Sequence, residues 1–239
     1  MLKVDSLTKT YSNGRGAKNI SFALASGEVL GLLGPNGSGK TTTMKVIAGI
    51  LRMTSGHVSL NGKDVTQWHE DTAAKMGCLI ESPALYDHMT AMQNLKLAAR
   101  FYDYVSEERV EEVLRLVKME QHAKEKVGMF SLGMRQRLGL AIALLSHPEL
   151  LILDEPANGL DIEGMVHVRK LIVEAAGNGA AVLISSHLAN EIEQCATKVA
   201  IMHHGRLLCI ESMDMVLSQS PTLEDFYLAQ VSKMQEGVA

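Results

Sequence analysis

Cysteine is scarce: Cys78, Cys195 and Cys209 are odd in number, far apart and include no Cys-x-x-Cys pair. That pattern suggests neither a disulfide framework nor a structural zinc site. Aromatics make up only 4% of the chain, so any ring needed for stacking on a ligand comes from a short list. Long apolar runs are missing as well. The longest, Leu138 to Leu145, stops at Ser146, whereas a bilayer-spanning helix needs about 20 apolar residues. The opening MLKVDSLTKTYS puts Asp5 and polar residues where a secretory peptide needs its apolar region, so a cytoplasmic address is expected. Nor is there a basic excess: 23 Lys plus Arg stand against 27 Asp plus Glu, a net charge of −4. This balance weighs against a chain built to coat nucleic acid.

What is present is an ordinary globular composition, 46% hydrophobic and 21% charged over 239 residues, enough for one large domain or two small ones. The alternation in Leu2–Leu7 predicts a half-buried strand, Asn13-Gly14 a turn, and Ile20–Leu24 a second strand. Val29-Leu30-Gly31-Leu32-Leu33 is apolar throughout, as in a strand buried on both faces, and leads through a glycine loop to a helix expected over Met44–Leu51. Helical character follows from about Ser82 to Leu145, with Ser106 capping a helix that opens on Glu107 and Glu108. Strands return at Leu150–Leu153 and Ala181–Ile184, separated by a helix near Gly164–Ala176. Val199–Met202 and Leu207–Ile210 then read as a hairpin. The order implies one α/β unit carrying a helical insertion.

The glycine loop is Gly34-Pro35-Asn36-Gly37-Ser38-Gly39-Lys40-Thr41-Thr42, which fits GxxxxGK[ST]. Its glycines let backbone N–H groups turn inward toward phosphate oxygens, and the following helix adds its positive end. Lys40 is placed to bridge β- and γ-phosphates and Thr41 to ligate Mg²⁺. A second element completes such a site: the strand Leu150–Leu153 delivers Asp154 and Glu155 at its carboxyl end, where open α/β sheets bind ligands. Asp154 suits metal binding and Glu155 suits orienting and deprotonating an attacking water.

Together these motifs resemble the ATP-binding cassette family over nearly the whole chain. Phe130-Ser131-Leu132-Gly133-Met134-Arg135-Gln136-Arg137 is similar to its signature sequence, with Leu132 for the first family glycine and Met134 for the usual glutamine. The resemblance implies that Ser131 and Gly133 face the ATP of a second subunit, and that the loop ending at Asp161 carries communication between subunits. It further implies that His187 reaches the γ-phosphate and that Tyr11 stacks on adenine. The implied fold is a P-loop NTPase core, about 1–81 and 146–220, with an N-terminal antiparallel β subdomain, an inserted α-helical subdomain, about 82–145, and a short C-terminal tail, about 221–239.

Glu81 stands where most of the family has a glutamine touching Mg²⁺ and the water. As a carboxylate it ligates a metal more strongly but repels phosphate when the metal is absent. Together with Met-Thr-Ala-Met-Gln-Asn-Leu after it and the signature above, it resembles the subfamily that protects lantibiotic-producing bacteria. The resemblance implies an ATPase with ATP and Mg²⁺ as cofactors. By the same resemblance it is expected to work as a homodimer on separately encoded membrane permeases, at the inner face of the cell membrane. Alternatives are an ATPase subunit of another drug, peptide or lipid exporter, or a soluble member acting on ribosomes or DNA. One cassette without a long heptad run argues against the last.

Overall fold

The computed structural model of the protein describes residues 1–65 and 70–236. The core range and the C-terminal tail drawn from sequence therefore each include positions, 66–69 and 237–239, outside the described residues. Strands β1 (Leu2–Thr10), β2 (Gly16–Leu24) and β3 (Val29–Leu33) lead into α1 (Lys40–Ile47), then β4 (Ser55–Leu60), β5 (Lys63–Asp64), α2 (Glu70–Ala73) and β6 (Met76–Leu79). The middle of the chain forms α3 (Ala91–Ala99), α4 (Glu107–Leu116) and α5 (Leu132–Leu144). After it come β7 (Leu150–Asp154), α6 (Ile162–Gly177), β8 (Ala181–Ser186) and α7 (Ala189–Glu193). The chain then forms β9 (Lys198–His203), β10 (Arg206–Ser212), α8 (Met213–Gln219) and α9 (Leu223–Glu236).

Two sheets result. An antiparallel sheet runs β2-β1-β4-β5; the central one runs β10-β9-β3-β8-β7-β6, parallel except for the edge strand β10. All five residues of β3, all five of β7 and all six of β8 are buried. Alternation across the pleat then divides the core. Leu33, Leu151, Leu153, Val182 and Ile184 face one way, into a cluster with α4, α5 and α6. Leu30, Leu32, Leu150, Ile152 and Leu183 face the other, packing with Met44 and Ile47 of α1 and with the antiparallel sheet. A strand buried on both faces has no solvent side to mark with polar residues, which is why these segments read as continuous apolar runs.

Local chemistry sets the helix ends. Ser106 caps α4, accepting from Arg109 N, and Thr90 with Gln93 forms a reciprocal capping box on α3. Helix α1 begins at Lys40, four residues before the start expected from apolar spacing, because Gly39 turns the chain directly into its first turn and Thr43 Oγ1 donates back to the Gly39 carbonyl. Residues 223–236, assigned to a tail from sequence, form α9. Its Leu223 and Phe226 are buried, and Leu223 N–H donates to Glu193 of α7 at 2.8 Å. The cysteines are free thiols; burial pushes Cys78 up to about 12 and Cys195 up to about 11. No helix among the described residues is long and apolar enough to cross a membrane.

Strand β6 lies against α5 through Gly77, where an added Cβ would collide with the Ala143 carbonyl oxygen. Gly77→Ala is therefore expected to cost about 1–3 kcal/mol, the usual range for overpacking. The shift of its urea midpoint against the wild type measures this.

Candidate functional site

Parallel pairing brings the carboxyl ends of β3, β8, β7 and β6 to one edge of the sheet. The registers Leu33↔Ser186, Asp154↔Ser185 and Leu79↔Leu153 place the phosphate loop, Ser185-Ser186-His187, Asp154-Glu155 and Glu81 side by side. Residues from 34 to 187 thus meet at one site.

The phosphate loop is held in a strained conformation that glycine allows. Gly39 has φ +100 and caps α1 without a side chain, and a Cβ there would sit 2.9 Å from the Gly16 carbonyl oxygen. No acid occupies the first turn of α1, so the helix's positive end and its free N–H groups face the loop's hollow. Lys40, 5% exposed, donates from Nζ to the carbonyls of Gly34 at 2.7 Å and Pro35 at 3.3 Å. Burial lowers its pKa, opposed by the charges of Glu155 and Asp154. Ser38 Oγ is buried with no hydrogen-bond partner and packs on Gly34, 2.8 Å from where a Cβ there would stand.

A hydrogen-bonded chain fixes the acids. Thr41 Oγ1 donates to Asp154 Oδ2 at 2.7 Å, and Ser185 Oγ donates to Asp154 Oδ1 at 2.5 Å. The same Ser185 hydroxyl accepts from Glu155 N–H at 3.0 Å. Glu155 sits at φ +49, an uncommon conformation for a residue with a Cβ, as does Glu81 at φ +60. His187 Nδ1 lies 2.9 Å from Glu155 Oε2. An ionised carboxylate only accepts, so Nδ1 carries the proton of that bond. The oxygens of Thr41 and Asp154 form a donor pair of the kind a small hard cation takes, with phosphate and water oxygens to complete its shell.

A cavity of about 440 Å³ opens over the loop, walled by Tyr11, Asn36, Gly37, Gly39, Lys40, Thr41, Thr42 and Glu155. Tyr11 is 39% exposed, with Lys9 Nζ 5.7 Å from its ring centroid. Gly34, Pro35 and His187 face a neighbouring, more apolar cavity of about 700 Å³. Ser38, Glu81, Ser131, Gly133, Asp154 and Asp161, all singled out in sequence, line neither hollow. Ser131 caps α5, accepting from Met134 N, and Asp161 caps α6, accepting from Gly164 N. Gly133 packs so closely on the Gly159 carbonyl that a Cβ would lie 2.9 Å from it. Glu81 is turned to the flank of α1, where it pairs with Lys45 Nζ at 2.7 Å.

Four contributors have no role assigned from sequence: Ser185, Lys45 and, inside the signature-like run, Gln136 and Arg137. Gln136 is 5% exposed and donates from Nε2 to the carbonyls of Glu155 at 3.2 Å and Pro156 at 3.3 Å, tying α5 to the acidic turn. Arg137 Nη2 lies 3.4 Å from Asp161 Oδ1. Ser185 offers the one available signal, a polar residue at the end of an otherwise apolar strand.

Residues 17–158 match the family described as ABC transporter. The chain is 37% identical to the bacitracin transport ATP-binding protein BcrA of Bacillus licheniformis, over 98% of its own length and 76% of that protein's. It is 36% identical to the lantibiotic transport ATP-binding protein SrtF of Streptococcus pyogenes, over 97% of each. Among solved structures, an ATP-binding subunit of an ABC transporter superposes with a TM-score of 0.89 at 29% identity, covering 97% of this chain and 99% of that one. A dimeric ATP-binding cassette in a post-hydrolysis state, bound to ADP and Pi, gives 0.78 at 25%, covering 89% and 99%.

Because Ser185 serves both Asp154 and the Glu155 N–H, Ser185→Ala leaves a buried carboxylate short of a donor and an amide unpaired. The expected loss is about 2 kcal/mol, in line with hydrogen bonds to charged groups. Denaturant unfolding of the variant checks this; a change under about 0.5 kcal/mol, the range of ordinary surface substitutions, would mean that Ser185 does not hold the two acids in place.

Proposed function

The chain belongs to the ABC transporter family as an ATP-hydrolysing cassette, and we propose that it powers a membrane exporter of antimicrobial peptides, giving self-protection against a lantibiotic or a related peptide. The observation that carries the reading is the hydrogen-bonded line from Thr41 through Asp154 and Ser185 to Glu155 and His187, placed beside the phosphate loop. The names of BcrA and SrtF support the cargo class.

In this reading Tyr11 stacks on adenine, a contact whose geometry tolerates any π face. Loop N–H groups and Lys40 hold the phosphates, Lys40 exchanging the Gly34 and Pro35 carbonyls for phosphate oxygens. Thr41 and Asp154 would hold Mg²⁺, which would neutralise charge on the phosphates. Glu155 accepts a proton from the attacking water while His187, oriented by its Nδ1 bond, presents Nε2 toward the γ-phosphate. Ser131 and Gly133 complete the site of a second copy, and Asp161 lies at the junction between copies. Glu81 has its main role in coupling hydrolysis to a permease, which binds the helical region of residues 82–120 at the inner face of the membrane. The proposed division is a core of about 1–81 and 146–220 with a helical subdomain of about 82–145. Transport of another drug, peptide or lipid differs from this reading only in cargo.

Glu155→Gln keeps the hydrogen bonds of the site but removes the base, so the variant is expected to accumulate as an ATP-bound dimer on gel filtration. A variant that stays monomeric with ATP and hydrolyses it normally removes Glu155 from catalysis. For Glu81→Ala, ATP affinity is expected within about threefold of wild type, roughly 0.65 kcal/mol, while peptide resistance of cells carrying it is lost. Loss of ATP binding in that variant, with the fold intact, contradicts the coupling role.

A further inference from the structure

The ion pair between Glu81 and Lys45 lies close to the phosphate site. Lys45 follows Thr41 by four residues on α1, so the two share a helix face one turn apart. On the other side, Leu79 and Leu153 form the last pair between β6 and β7, and Glu81 lies two residues beyond it, at the same end of the sheet as Glu155. A third carboxylate thus stands at the sheet edge that already holds Asp154 and Glu155, paired one helical turn along from Thr41, which walls the cavity over the loop. Lys40 is committed to the loop carbonyls. Lys45 is the cation that faces Glu81, at 2.7 Å, with its own side chain 25% exposed. The backbone of Glu81 at φ +60 is the conformation in which the carboxylate meets that ammonium.

We propose that Lys45 is a positioning residue that neutralises Glu81 and holds it against α1, so that ATP enters the phosphate site before a metal ion balances the extra carboxylate. The inference rests on the reading that Glu81 belongs to the ATP site. Without Lys45, the unpaired charge of Glu81 opposes the phosphates most strongly when no Mg²⁺ is present, since the metal ion otherwise offsets it.

The test is calorimetric titration of the full chain with ATP, once in EDTA and once in Mg²⁺. Lys45→Met, which keeps the aliphatic stem, is expected to weaken metal-free ATP binding about tenfold, or 1.4 kcal/mol, and Mg²⁺-ATP binding less than threefold. Adding Glu81→Gln to Lys45→Met is expected to restore metal-free binding, and Lys45→Arg to leave it at the wild-type level. An equal loss in both conditions that Glu81→Gln does not rescue would mean Lys45 acts on the nucleotide itself, and overturns the proposal. Unchanged affinities in every variant overturn it too, leaving a solvated surface pair. If the wild type binds no ATP in either condition, the failure belongs to the proposed function instead.

Discussion

Parallel strand pairing is the constraint from which the site follows. Hydrogen bonding between β3, β8, β7 and β6 in one direction forces four carboxyl ends to a common edge, and each end delivers a different group. A parallel sheet is stable only when both faces are covered, so the helices on one side and the antiparallel sheet on the other are prerequisites of the site. The register of the β7–β8 pair then decides the chemistry. Asp154 falls opposite Ser185, and that hydroxyl can fix both the carboxylate and the backbone of Glu155. A slip of one residue would turn Asp154 into the core.

Charge is managed with equal economy. Three carboxylates gather at the strand ends, a poor setting for an anionic ligand unless each has an assigned counterpart. Asp154 is satisfied by two hydroxyls, Glu155 by His187, and Glu81 by Lys45. Lys40 and the N-terminus of α1 remain directed at the loop. Glu155, directly after β7, and Glu81, two residues after β6, adopt a left-handed conformation, as do Asn61 after β4 and His204 after β9, and backbone strain of this kind is retained where the surrounding structure over-determines it.

Legibility in the sequence follows contiguity. The phosphate loop, Asp154-Glu155 and the apolar strands can be read because each is a short run whose chemistry is complete within it. The hairpin β9–β10 and the cap Ser106 are legible for the same reason. Strand β4 is not, since Ser55-Gly56-His57 is polar and exposed and only Val58 to Leu60 are buried. Strand β6 escapes notice because four residues at a sheet edge carry too little pattern. The roles of Gln136, Arg137 and Lys45 depend on contacts across 19, 24 and 36 positions of chain, which packing fixes and the signature-like run around the first two does not reveal. Helix α9 looks like a tail in sequence because the group that anchors its start, Glu193 of α7, lies thirty residues back along the chain.

The function of the chain turns on the loop around Lys40 being its ATP-binding element. The most direct test is calorimetric titration of ATP into the wild type and Lys40→Met at matched folding stability. Affinity is expected to fall at least a hundredfold, about 2.7 kcal/mol, on loss of the ammonium that bridges the phosphates. An affinity within threefold of wild type would contradict that role for the loop.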